Sequence, residues 1–301
     1  MSFIRNIKKH PVLYIMVLPG VVYLLIFNYA PMYGVVIAFK DFSVTKGIWE
    51  SPWVGLENFK YLFGSKEFLN IFRNSILMNI YRLVFAFSAP IPLALLLNEI
   101  RLNSFKRVTQ TIVYLPHFIS WVVIAGIVQN LLSFTAEGQI NYLLKLVGFT
   151  PVNFLMEPRF FRSIIVLSEI WKEAGWGTIV YLAAITSIDM ALYESAVVDG
   201  AGRLKQIWYI TLPGIIPTII VMLILRMGSL LNNGFEQIFL LYNALTMEVA
   251  DVFETYTFRV GLREGRFSFA TAVGIFQSLV GMIMIYSTNK LSRKVGETGL
   301  W

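Results

Sequence analysis

Six long apolar runs set the outer limit on what this chain can become. They cover approximately residues 11–39, 70–97, 108–132, 161–187, 214–241 and 267–289. Each is long enough for a helix to cross the hydrocarbon of a bilayer, which takes roughly 20 residues. Backbone in lipid must satisfy its own N–H and C=O groups, and a single apolar run does so only as a helix. The expected fold class is therefore all-α: a polytopic membrane protein with about six transmembrane helices. Composition agrees, since 56% of the 301 residues are hydrophobic and only 14% are charged. A soluble core of this size cannot hide that much apolar surface. Arg5, Lys8 and Lys9 precede the first run as they would in a signal peptide. That run is too long for a leader and no small-x-small site follows, so it reads as an uncleaved first span. Pro19 and Pro31 in the first run, Pro90 and Pro92 in the second and Pro116 in the third mark positions for kinks or breaks.

Orientation follows from basic residues in the connecting segments. With both ends inside, the inner segments hold eleven (Arg5, Lys8, Lys9, Arg101, Lys106, Arg107, Arg203, Lys205, Lys290, Arg293, Lys294) and the longer outer loops ten. The greater density on the shorter segments favours N-in, C-in, with 188–213 in the cytoplasm. The outer loop 40–69 carries SPWVGLENFKYLF, an aromatic-rich stretch suited to a membrane surface, and 133–160 carries GQINYLLKLVGF, read as a short interfacial helix. The formal net charge of +7 suits an anionic lipid surface better than nucleic acid. Without cysteine there is no disulfide, Cys-ligated zinc or thiol chemistry, and with only His10 and His117 a histidine metal site is not expected. The chain has no GxxxxGK[ST] loop, so it is not expected to bind ATP phosphates itself, and GxSxG, HExxH, EF-hand and selectivity-filter patterns are also missing.

Seven ionisable residues fall inside the runs: Arg73, Arg82, Glu169, Lys172, Glu173, Arg226 and Glu236. Charge in lipid faces a partner or a wet cavity. Arg73 lies near the end of its span and can snorkel, whereas Arg82 is deeper and needs a partner that the sequence does not name. Glu169, Lys172 and Glu173 share helical spacing in the fourth run, flanked by Trp171 and Trp176. In the fifth run Arg226, Ser229, Asn232, Asn233, Glu236 and Gln237 form a polar stripe at three-to-four spacing. One reading is buried ion pairs that fix helix register. The other is a hydrophilic pathway, with Trp171, Glu173, Trp176, Ser229, Asn232, Asn233 and Glu236 along it. Amides and charges beside indole rings suit a sugar, whose hydroxyls need hydrogen bonds and whose ring needs an apolar face.

The stretch ESAVVDGAGRLKQIWYITLP, 194–213, is polar for its place between two spans but is not loop-like. Tyr193, Ala196, Val197 and Ala201 fall at helical spacing, and Ile207, Tyr209, Ile210 and Leu212 form a second apolar cluster. Gly200 and Gly202 stand between, where a helix stops and turns, and Pro213 begins the next apolar run. The expectation is a short helix, a glycine turn and a second short helix, an amphipathic pair that a soluble partner can grip.

These residues resemble the EAA signature of permease subunits of binding-protein-dependent ABC importers. Glu194, Ser195 and Ala196 are followed by Gly200 and then by Ile210, Leu212 and Pro213 at that family's spacing, with serine for alanine at 195 as the one departure. WVGLENF (53–59), IWKEAGWGTIVYLAAI (170–185) and FEQIFLL (235–241) look like the carbohydrate branch, and PMYGVVIAFKDF (31–42) like the LplB-type sugar permeases and one subunit of alginate-oligosaccharide importers.

The resemblance implies a type I ABC importer permease fold with an N-terminal span and external loop (1–69), a core permease domain (70–289) containing the coupling loop 188–213, and a cytoplasmic tail (290–301). It also implies an ATPase-coupling set of Glu194, Ser195, Ala196, Asp199, Gly200, Ile210, Leu212 and Pro213. The implied partners are a second homologous permease, two ATPase subunits carrying ATP and Mg, an extracellular or periplasmic sugar-binding protein, membrane lipid and an oligosaccharide, with no nucleic acid. The chain itself would bind no cofactor or metal and perform no bond chemistry, in a bacterial cytoplasmic membrane. Three alternatives remain open at this point. An ion-coupled secondary transporter or channel would use Glu169, Glu173 and Glu236 as ion sites, although the internal repeats common in such proteins are not evident. An ABC permease for a non-sugar solute would keep the same elbow. A membrane enzyme acting on lipid-linked sugars would need an acidic cluster that the sequence does not display.

Overall fold

A computed structural model describes residues 10–135, 138–228, 231–232 and 234–294. Among these the chain is almost wholly helical, and its one β-type pairing is an isolated bridge between Lys40 and Trp53. The principal helices are α1 (Pro11–Phe39), α2 (Lys66–Glu99), α3 (Asn103–Phe118), α4 (Trp121–Leu131), α5 (Pro158–Thr186), α6 (Met190–Val198), α7 (Arg203–Gly228), α8 (Phe235–Leu241) and α9 (Phe267–Lys290). Four are long and apolar enough to cross a bilayer, and the count rises to six if the bent pairs α3–α4 and α5–α6 are each one span. The expected short helix after the third run is present as Gln139–Leu146.

Among the described residues two compact units emerge, one of 10–65 with 257–276 and the other of 66–256 with 277–294. In the first, α1 leads into a short loop closed by polar contacts. Lys40 Nζ donates to the Ile48 carbonyl at 2.6 Å, and Asn58 Nδ2 donates to the Ala38 carbonyl at 2.9 Å. Arg266 stacks its guanidinium on Tyr61 and Phe269, 4.6 and 4.9 Å from the ring centres. The second unit holds two apolar clusters. Met78, Ala125, Phe161, Ile165 and Ile238 join α2, α4, α5 and α8. Ala94, Tyr181, Ile185 and Ile215 join the later turns of α2 and α5 to α7.

The prolines act in two ways. Pro31, Pro90 and Pro213 each follow a widened π turn: Leu25–Tyr29, Arg82–Ala86 and Ile207–Thr211. A proline deprives the carbonyl four residues back of its donor and crowds it. A π turn shifts the register to i→i−5, as in Leu212 N–H to Ile207 O just before Pro213, and the helix continues. Pro116 instead ends α3 in a 3₁₀ turn, Leu115–Phe118, and the chain bends by 102° into α4. The third run is thus a broken helix, interrupted at the proline that marks it in the sequence.

Two expectations are corrected. The fifth run is not one helix over 214–241. α7 stops at Gly228 and α8 restarts at Phe235, with Gly234 in the left-handed region at φ +68°. Of the described residues read as one helical stripe, Arg226 therefore lies in α7, Asn232 in the link, and Glu236 and Gln237 in α8; glycine and asparagine favour the turn over the continued helix. Likewise, the second short helix of the 194–213 elbow is not separate from the span. It starts at Arg203 and runs through the π turn and Pro213 into the apolar segment as one 26-residue helix.

Candidate functional site

Arg82, Glu169 and Arg226 meet where α2, α5 and α7 converge. Arg82 Nε lies 2.9 Å from Glu169 Oε2, and Arg226 Nη2 donates to Glu169 Oε1 at 3.0 Å. Gln237 extends the network from α8. Its Oε1 accepts from Arg82 Nη2 at 2.5 Å, and its Nε2 donates to the Ile165 carbonyl at 2.8 Å and to Ser168 Oγ at 2.9 Å. Arg82, Glu169 and Gln237 are buried, and the Arg226 side chain is one-third exposed. This supplies the partner that Arg82 demands. It also explains Gly234: a Cβ there would sit 3.2 Å from Arg82 Nη1, and the left-handed backbone already favours glycine.

The network borders a cavity of about 550 Å³. Glu173, Trp176 and Asn232 also line it, together with Trp121 and Tyr181. His117, at the broken end of α3, stacks on Trp176 with ring centres 4.5 Å apart and planes 4° from parallel, and its Nδ1 is 2.8 Å from Glu173 Oε2. Lys172 is buried beside them. Its Nζ donates to the carbonyls of His117 and Ile119, each at 2.6 Å, the groups that the α3–α4 break leaves open. A lysine in a span thus serves as the cap of a helix end on a facing element.

Of the residues read from sequence as a solute pathway, Glu173, Trp176 and Asn232 come together. Trp171 lines a separate apolar cavity of about 440 Å³ with Phe154, Phe160 and Leu167. Glu236 is exposed, and its neighbour Gln237 lines the polar cavity instead. Ser229 and Asn233 lie outside the described residues. Sequence reasoning missed the roles of His117, Lys172 and Gln237. The signal for Lys172 was a cation in one span opposite a proline-broken helix end in another.

The elbow is rigid within its own chain. Asp189 caps α6, its Oδ1 accepting the Ala191 N–H at 3.0 Å. The helix ends in a Schellman motif: Ala201 N–H donates to Ala196 O at 2.8 Å and Gly200 N–H to Val197 O at 3.0 Å, with Gly200 at φ +75°. Tyr193 and Thr211 share a hydroxyl hydrogen bond of 2.9 Å that ties α6 to α7, and Arg203 pairs with Glu99 of α2 at 2.9 Å. Tyr193 and Ala196 are half-buried, whereas Val197 turns outward with Val198, which is 86% exposed. Leu204 and Tyr209 on α7 are similarly exposed, at 74% and 79%. Glu194, Ser195, Asp199 and Gly200 are also exposed, while Ile210 and Leu212 are half-buried and Pro213 is exposed.

A multi-pass helical bundle with a polar cavity among its spans and a stiff, partly apolar elbow outside them defines a membrane transport subunit. The chain belongs to the family described as binding-protein-dependent transport system inner membrane component, whose model matches residues 86–296. It is 46% identical over 301 residues to protein LplB of Bacillus subtilis (strain 168), covering 100% of this chain and 94% of that one. It is 47% identical over 289 residues to the polygalacturonan/rhamnogalacturonan transport system permease protein YteP of the same organism, covering 96% and 90%. A chain of a bacterial alginate ABC transporter, solved in complex with an alginate pentasaccharide-bound periplasmic protein, superposes with a TM-score of 0.92 at 44% identity over 100% of both chains. The expected all-α permease fold therefore holds along the whole chain.

Proposed function

We propose that this chain is one transmembrane subunit of an ATP-driven oligosaccharide importer in a bacterial cytoplasmic membrane. In this reading it forms half of the translocation pathway with a second, homologous permease. Two ATPase subunits, carrying ATP and Mg, sit on its cytoplasmic face, and an external sugar-binding protein delivers the solute. The chain performs no bond chemistry. It converts ATPase closure into alternating access.

The observation that carries this reading is the continuity of α7. One helix begins at the elbow, at Arg203, and ends at the cavity, where Met222 and Arg226 contribute to the lining. At 1.5 Å per residue those ends are about 35 Å apart. A push on α6 reaches α7 through the Tyr193–Thr211 contact and the Gly200 turn, and a continuous helix carries it to the wall of the cavity. A loose loop would absorb the motion. Glu194, Ser195, Ala196, Asp199 and Gly200 form the docking element in this scheme, and Ile210, Leu212 and Pro213 seat the second arm. Glu173, Trp176 and Asn232 face the solute in the cavity, an indole beside hydrogen-bonding groups being what a sugar ring needs. The relatives whose names specify polygalacturonan, rhamnogalacturonan or alginate support a carbohydrate solute.

The test is binding-protein-stimulated ATPase activity and sugar uptake by the reconstituted assembly. Gly200→Pro imposes a negative φ where +75° is needed and deletes the N–H that bonds Val197 O. Glu194→Lys reverses the charge on the exposed face of α6. Both variants are expected to abolish stimulated activity while the permease pair still assembles. Wild-type activity in both would remove the elbow from the coupling route.

A further inference from the structure

A third cleft, of about 510 Å³, lies along α2 and α5; it shares no lining residue with the polar cavity and borders the apolar cavity at Ser163 and Leu167. Its chemistry is graded along α5. Pro158, Arg159, Arg162 and Ser163 come from the first turns of that helix, and Val166, Leu167 and Ile170 from the next two. Phe85 and Tyr81 of α2 form the facing wall. The helices run parallel here, since Asn74 meets Arg162 and Arg82 meets Glu169. The cationic end of the cleft is thus also the end where α2 begins, and Arg73 is the chain neighbour of Asn74, the residue to which Arg162 donates.

Two of the three cations at that end have no carboxylate in an ion pair with them among the described residues. Arg159 pairs with Glu157. Arg162 donates to the neutral amide of Asn74 at 3.0 Å, and its buried Nε meets no acceptor. Neither Arg73 nor Arg162 has an ion-pair partner among the described residues. From Arg162 to Ile170 the helix rises about 12 Å, the scale of a lipid glycerol and the upper part of an acyl chain. Phe85 and Leu167 are exposed apolar groups on segments that read as membrane spans.

We propose that this cleft holds one anionic phospholipid, its phosphate on Arg162 and Arg73 and one acyl chain against Phe85, Val166, Leu167 and Ile170. A soluble anion would leave the apolar wall unused, and a zwitterionic lipid would leave the cations unbalanced. Arginine offers a phosphate two parallel donors, and basic groups at a membrane surface retain anionic lipid.

The experiment uses the assembly containing the full chain, purified in detergent, exchanged with phosphatidylglycerol or with phosphatidylcholine of the same acyl chains and weighed by native mass spectrometry. Retention of phosphatidylglycerol is expected to exceed that of phosphatidylcholine by about tenfold. Arg73→Gln and Arg162→Gln together should erase that preference, and Phe85→Ser should weaken retention of both lipids. Arg73 is exposed and makes no hydrogen bond among the described residues, so Arg73→Gln alone gives a reading, a partial loss of preference, if the double variant fails to assemble. Equal retention of the two lipids, or an unchanged preference in the arginine variants, overturns the proposal. So does displacement of the lipid by inorganic phosphate or by an acidic oligosaccharide, because either would show that the apolar wall is not part of the site.

Discussion

The buried ion cluster and the elbow invert the usual placement of side chains in opposite ways. At Arg82, Glu169 and Arg226 the chain buries charge among its spans. At Val198, Leu204 and Tyr209 it exposes apolar groups outside them. Both placements are unfavourable taken alone. The difference lies in where the compensation comes from. The ion cluster is answered inside the chain, by Glu169 between two arginines and by Gln237 with its three hydrogen bonds. The elbow has stiff internal scaffolding, but nothing among the described residues covers its outward face. A polar group satisfied internally points to architecture or to a pathway wall, whereas an apolar face held rigid and left uncovered points to a second molecule.

The largest effect is expected at Glu169, the carboxylate that both arginines share. Glu169→Gln leaves two arginines facing each other with one neutral amide between them. Breaking a buried pair in this way costs about 3–5 kcal/mol. The variant should show a marked fall in thermal unfolding temperature in detergent and poor assembly. Replacing all three charges together by methionine or leucine of similar volume should restore much of the loss, because the desolvation penalty goes with the charges. If Glu169→Gln melts like the wild type, the cluster is solvated and the fold does not depend on its pairing.

Lys172→Met comes next. It removes the donor that satisfies the carbonyls of His117 and Ile119 where α3 breaks. Leaving such groups without a partner costs about 1–3 kcal/mol. Loosening should concentrate at the α3–α4 bend, read as faster amide exchange in 115–124 with α7 unaffected. Uniform exchange across both segments would show that the bend is held by something other than this cap.

Parts of this contrast were legible in the sequence for identifiable reasons. Apolar run length gave the spans, since bilayer thickness is a fixed ruler. The Gly200 turn and the elbow's start were visible because a helix stop needs a left-handed residue, and glycine provides it. Span charges were recognised, but their pairing was not, because Arg82 and Glu169 are 87 positions apart and no local rule joins them. The fifth run misled because three-to-four spacing is meaningful only while the helix continues, and Gly228, Asn232 and Gly234 end it. Pro213 misled in the other direction: a π turn absorbs it, and the register change that does so has no residue signature.

The smallest effect on stability is expected at the elbow, and that is what makes it informative. Val198 is the last residue of α6 and is 86% exposed, so Val198→Asp removes almost no intramolecular packing. Exposed substitutions of this kind usually stay within about 0.5 kcal/mol. A new carboxylate beside a helix C-terminus is slightly unfavourable, which keeps the expected sign negative but the size small. The isolated permease pair should therefore melt as the wild type does. The same carboxylate placed in a desolvated apolar contact would lose hydration without gaining a partner, a much larger penalty. Co-purification of the ATPase subunits with the Val198→Asp assembly, measured against wild type at equal permease amounts, should fall sharply. Loss of the ATPase without loss of fold separates a docking face from a scaffold. Loss of both would mean that Val198 packs within the chain, and retention of both would count against Val198 as a docking residue, with Leu204 and Tyr209 as the positions to change next.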